Sequence, residues 1–136
     1  TRLLSKVNYD IHTDAIKEYI VPTLTENQIK FVYAEEADVL NVALFGVTAK
    51  EWRKANPDLA KKGNIRDYTD LLHLVILNNL QNTNAELIEN NVPQSERLIR
   101  LNNSARRQMK SLQNNKTIHE LEKIQEQVNN EKYSLQ

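Results

Sequence analysis

A chain with no cysteine has no thiol nucleophile, no thiolate metal ligand and no disulfide. Any chemistry falls to histidines, carboxylates, hydroxyls and cations. The histidines, His12, His73 and His119, stand far apart. None has a second histidine or a carboxylate pair at the spacing that would set two metal ligands on one helix face, so no metal site is expected. Gly46 and Gly63 are the only glycines, which excludes a glycine-rich phosphate loop, and no cofactor is expected. Glu36 shares a helical-wheel face with Ile29, Val32, Tyr33, Leu40, Ala43 and Leu44. A carboxylate there must be paired, hydrogen-bonded or protonated. It is either a catalytic acid or ligand contact, or half of an ion pair with a cation such as Arg66 or Arg53. The ion pair is favoured, because no second chemical group stands with it.

The segment Arg66-Asp67-Tyr68-Thr69-Asp70-Leu71-Leu72-His73 puts an arginine before a helix and a histidine inside it. This resembles the motif of the HEPN family of helical ribonucleases. The resemblance implies an RNA cleft lined by Arg66 and His73, with His73 as general base on a 2′-hydroxyl. The competing reading has Asp67 capping the helix and Arg66 pairing with an acid nearby. Leu71, Leu72 and Leu74 surround His73 with an apolar wall, so His73 is expected to pack against neighbours, and no RNA cleavage is expected.

One stretch carries cations without acids: Arg97, Arg100, Arg106, Arg107 and Lys110, followed by Lys116, with no acid between Glu96 and Glu120. Wheel geometry sets most of them opposite the apolar line Leu98, Leu101, Ala105, Met109 and Leu112. They form a surface for phosphates or an acidic protein partner, or else a solvated outer face. No aromatic residue interleaves, so base stacking on single strands is not suggested. Eighteen Lys and Arg balance eighteen Asp and Glu, and the balance holds separately on each side of Tyr68. A self-sufficient duplex-binding domain carries an excess of cations, and an acidic mimic of nucleic acid carries the reverse. Neither fits.

Helices must hold these residues. Three Thr-x-x-Glu/Gln capping boxes stand before apolar periodic runs, at Thr25 and Gln28, Thr48 and Glu51, and Thr117 and Glu120, and Asp67 with Asp70 is a weaker relative. Two glycines and three prolines are too few for the turns of an all-β chain. The pattern predicts helices from near Thr13 to before Pro22, from Glu26 to Phe45 with Gly46 as C-cap, and from Ala49 to Ala55. Further helices are predicted from Tyr68 to Glu89, from Pro93 to Leu112, and from Thr117 onward through Ile118, Leu121, Ile124 and Val128. Residues 57–64 read as a polar basic loop. Asn pairs begin at residues 78, 90, 102 and 114, which looks like a repeat, but the sequences between them are unalike. The expectation is all-α: a single compact bundle of five or six helices, with a helical domain over residues 1–116 and a terminal amphipathic helix and polar tail over 117–136. Leu40, Leu44, Trp52, Leu72, Val75, Ile76, Leu98 and Leu101 should share one core.

Four blocks carry a second resemblance. They are Asn8 to Glu18, Phe31 to Gly46 continuing through Thr48 to Arg53, Lys62 to Tyr68, and Gln94 to Ile99 with Gln108 to Leu112. Together they resemble the C-terminal region of bacterial and phage-type KilA-N domain-containing proteins, over about Leu4 to Leu112. The resemblance implies a DNA-associated parent protein whose separate N-terminal KilA-N domain, absent from this chain, contacts DNA. No catalytic residues carry over. A chain beginning at Thr1 reads as a fragment or processed product, and with no apolar run long enough for a membrane span a cytoplasmic location is expected. The function expected is that of a non-enzymatic accessory domain for protein contact or self-association.

Overall fold

A computed structural model describes residues 20–113 and 115–134. Among them are seven α-helices and no strand: α1 (Glu26–Lys30), α2 (Glu36–Phe45), α3 (Ala49–Ala55), α4 (Pro57–Ala60), α5 (Leu71–Glu89), α6 (Gln94–Leu112) and α7 (Lys116–Ser134), with a 3-10 turn at Ile65–Tyr68. The all-α expectation holds. The helix expected from Thr13 lies outside the described residues, apart from Ile20 and Val21, which are not helical.

Local capping sets most helix ends. Thr25 with Gln28 and Thr48 with Glu51 form reciprocal capping boxes on α1 and α3. Gly46 ends α2 at φ 76°, and a Cβ there would lie 2.6 Å from Pro22 Cγ. Three expectations need correction. Thr117 lies inside α7, and Asn115 Oδ1 instead accepts the Ile118 N–H, at 3.0 Å. Asp70, not Asp67, caps α5. The loop at 57–64 contains α4, which Pro57 opens from the first helical position.

The predicted helix from Glu26 to Phe45 is two helices with an extended break between them. Tyr33 causes the break. Its N–H donates to Gln94 Oε1 at 2.7 Å, its carbonyl accepts from Gln94 Nε2 at 2.9 Å, and its hydroxyl donates to the Gln28 carbonyl at 3.0 Å. A backbone held by a side chain of α6 cannot also serve a helical ladder. The break leaves Phe31 61% and Val32 80% exposed, so Val32 does not share the buried face of Leu40 and Leu44 to which the wheel assigned it.

Six successive residues of α2, Val39 to Leu44, are buried. That helix is central, packed against α5 and α6. Side-chain bonds from Asn79 to Gln108 and from Arg97 to Asn84 show that α5 and α6 run antiparallel. Their joint is a Schellman motif: Val92 N–H bonds the Leu87 carbonyl, Asn91 N–H bonds the Ile88 carbonyl, and Asn91 takes φ 60°. The main core joins Leu40 and Leu44 with Leu72, Ile76, Leu77 and Leu80 of α5 and Leu98, Leu101, Ala105 and Met109 of α6. Two residues depart from the single-core expectation. Val75 is only half-buried, and Trp52 packs with Ile65 and Tyr68 in a second cluster that Phe45 joins to the first.

The asparagine pairs have no common cause. Asn79 bonds Gln108, Asn91 supplies the left-handed residue, and Asn115 caps α7. Buried Asn102 donates to the carbonyls of Pro22 and Ala43, each at 2.9 Å, tying the segment before α1 to α2 and α6.

Candidate functional site

The first polar cluster lies where α7 crosses the start of α5. Asp70 is 1% exposed and His73 2% exposed. Asp70 Oδ1 accepts the His73 N–H at 2.8 Å as the helix cap and faces the ring Nδ1 at 2.7 Å. An ionised carboxylate only accepts, so facing it the ring presents Nδ1–H. Phe45 stacks on the imidazole with ring centroids 5.7 Å apart and planes 12° apart. Packing of His73 against neighbours was expected. Its carboxylate partner three residues earlier was not.

Glu122 of α7 belongs to the same seam. Burial pushes its carboxyl above the usual carboxylate range, and the charge of Asp70 pushes it further. His119 Nδ1 lies 3.7 Å from Glu122 Oε1, longer than a hydrogen bond, and its Nε2 bonds the Gln113 carbonyl. Glu122 Oε1, Asp70 Oδ2 and Thr69 Oγ1 are buried with no hydrogen-bond partner. Such atoms are costly, and they cluster along this seam. The wheel did carry a signal for Glu122, since it stands one turn after Ile118 on the side of α7 that faces the bundle.

Arg66 contributes its backbone N–H to Asn64 Oδ1 at 2.9 Å, and Asp67 Oδ2 accepts the Asn64 N–H at 2.7 Å. No hydrogen bond or ion pair among the described residues joins Arg66 to His73 or to an acid. Among the described residues, no group of three or more His, Asp or Glu is placed to hold a metal ion.

Glu36 is half of an ion pair, as expected, but its partner is neither Arg66 nor Arg53. It is Arg97 of α6, which bonds both carboxylate oxygens and also donates to Asn84 Oδ1 and the Val92 carbonyl. The guanidinium holds the Glu36 carboxyl below its ordinary range, against the opposing effect of burial. Arg97 is 7% exposed and so leaves the basic surface to which the sequence assigned it.

Arg100, Arg106, Arg107 and Lys110 remain outside. Arg100 pairs with Glu96 one turn back, at 2.7 Å. Arg106, Arg107 and Lys110 line an open groove of about 400 Å³ together with Val21 and Met109. A different surface follows on α7, where Leu121 is 46%, Ile124 55% and Val128 43% exposed. No helix among the described residues is long and apolar enough to cross a membrane. No protein-family model, curated protein or solved structure matches this chain.

Proposed function

We propose that this chain is a non-enzymatic helical interaction module of a KilA-N-type DNA-binding protein, serving protein contact or self-association while a separate domain engages DNA. The observation that carries the reading is the exposed apolar row of α7, because a soluble surface seldom leaves several large aliphatic side chains adjacent unless something covers them. The commitment of the His73 imidazole to Asp70 and Phe45 is consistent with a structural role for that histidine. The loss of Arg97 to Glu36 reduces the cationic surface of a chain whose formal charge is already zero.

The test is cross-linking in the cell that makes the protein, with wild type and Ile124→Lys side by side. Wild type is expected to cross-link to protein, and the variant to do so much less. Equal cross-linking of the two, or no product from either, would count against the reading. Incubation of purified chain with RNA is expected to leave the RNA intact, and cleavage abolished by His73→Ala with the fold retained would favour a nuclease instead.

One observation favours a second reading, weak nucleic-acid contact: the groove rimmed by Arg106, Arg107 and Lys110. Labelled duplex titrated at two salt concentrations separates the two. Affinity no tighter than about 10⁻⁴ M at physiological salt is expected of the module. Micromolar binding that falls with salt and weakens in Arg106→Ala with Arg107→Ala would establish the second reading.

A further inference from the structure

Pro22 is held beside α6, where its carbonyl accepts from Asn102. Ile20 and Val21 line the groove along that helix, together with buried Met109 and the exposed cations Arg106, Arg107 and Lys110. The floor is therefore apolar and the rim cationic. Among the described residues no ion pair engages these three cations, and no acid occurs between Glu96 and Glu120. Such a groove fits an amphipathic helix with an acidic edge.

The sequence of residues 1–19, which lead directly into Ile20, carries that pattern. Val7, Ile11, Ala15 and Tyr19 recur every four residues, and Asp10, Asp14 and Glu18 each stand three after one of them. On a helical wheel the acids edge the apolar row, and Lys6 and Lys17 fall further round. We propose that this segment docks as a helix in the groove of α6, antiparallel to it, with its acids on the rim cations. Counting back residue for residue from the bond between Pro22 and Asn102, Glu18 comes level with Arg106, Ala15 with Met109 and Asp14 with Lys110. Both charge pairs are thus about one turn apart on each helix. Surface pairs contribute little singly, and a helix this short is marginal alone. The segment is joined to the groove wall at Ile20, however, so the contact is intramolecular, at an effective concentration on the order of millimolar. A phosphate chain or acidic partner that reaches the same cations must displace it. This docking is independent of the interaction-module reading, which rests on α7.

Hydrogen exchange of the full chain, read by mass spectrometry, should find the amides of residues 10–19 slowed by about tenfold or more against an unstructured peptide. Asp14→Lys with Glu18→Lys should abolish that slowing. So should Arg106→Glu with Lys110→Glu, on exposed positions that leave the fold intact by circular dichroism. All four changes together exchange the charges of the two rows and should restore it. Met109 is the chain's one methionine, so its methyl group gives a single NMR signal. In the unaltered chain that methyl should show a cross-relaxation contact to Ala15. Fast exchange of residues 10–19, slowing that survives either charge reversal, no recovery in the fourfold variant, or no contact between Met109 and Ala15 would each overturn the proposal.

Discussion

At the scale of single residues, two carboxylates at helix contacts respond to pH in opposite directions. Glu36 has its folded pKa lowered, chiefly by the hydrogen bond from Arg97. Its contribution to stability is present above the ordinary carboxylate pKa and is lost as pH falls through the lowered folded value. Arg97→Ala removes a buried cation, takes the donor from Asn84 Oδ1 and leaves the Glu36 carboxylate with the Asn84 amide alone of these two partners. A loss of about 2–3 kcal/mol is expected, toward the low end for a buried pair because the Glu36 side chain is 44% exposed. Urea unfolding at several pH values should show that loss and a shallower decline on the acid side. Glu122 is the reverse case. Burial and Asp70 raise its folded pKa, so the stability it supports is present below the ordinary carboxylate pKa and is lost as pH rises through the raised value. The titratable groups about it are Asp70 at the cap of α5, His73 on α5, and His119 and Glu126 on α7. Glu122→Gln should hold α7 in place by up to about 1 kcal/mol more at pH above the raised value, with the decline on rising pH reduced. Amide hydrogen exchange on α7, measured against pH in both proteins, checks this.

At the scale of helices, the legible features are those that depend on neighbours three or four residues away. The boxes at Thr25 and Thr48, the stop at Gly46 and the bounds of α3 are of this kind. The break between α1 and α2 was not legible, because the side chain that takes the Tyr33 backbone, Gln94, is 61 residues away. Arg97 was misassigned for the same reason, since its partner Glu36 is also 61 residues away. A wheel drawn on one helix shows which side a residue occupies and nothing of what stands opposite. Gly46 joins both levels: its left-handed backbone is local, and its clearance from Pro22 is tertiary. Gly46→Ala should lower stability by more than about 2 kcal/mol, combining left-handed strain with displacement of Pro22. Thermal unfolding of the variant beside wild type gives the value.

At the scale of the whole molecule, α2 is a central rod gripped by the antiparallel pair α5 and α6, so stability should concentrate where the three meet. Leu44, Leu72, Leu80, Leu98 and Leu101 each have 0% exposure. Truncating one of them to Ala should cost about 2–5 kcal/mol. The same change at Leu121, 46% exposed, should cost little within one chain. Chemical denaturation of the two kinds of variant makes the comparison. A large loss at Leu121 in dilute solution would mean that α7 is packed more deeply than its exposure indicates.

The separation of Trp52 from the main core gives the protein a built-in optical reporter. It is the chain's one tryptophan, 6% exposed and stacked on Tyr68 with ring centroids 5.8 Å apart. Its fluorescence therefore senses the small cluster of Trp52, Ile65 and Tyr68, whereas the far-ultraviolet signal is dominated by the long helices outside it. Small units with few buried neighbours open at lower free energy than the core. With rising denaturant, the emission should shift to the red before the helical signal is lost. Coincident curves would mean that Phe45, the side chain touching both clusters, couples them into one cooperative unit.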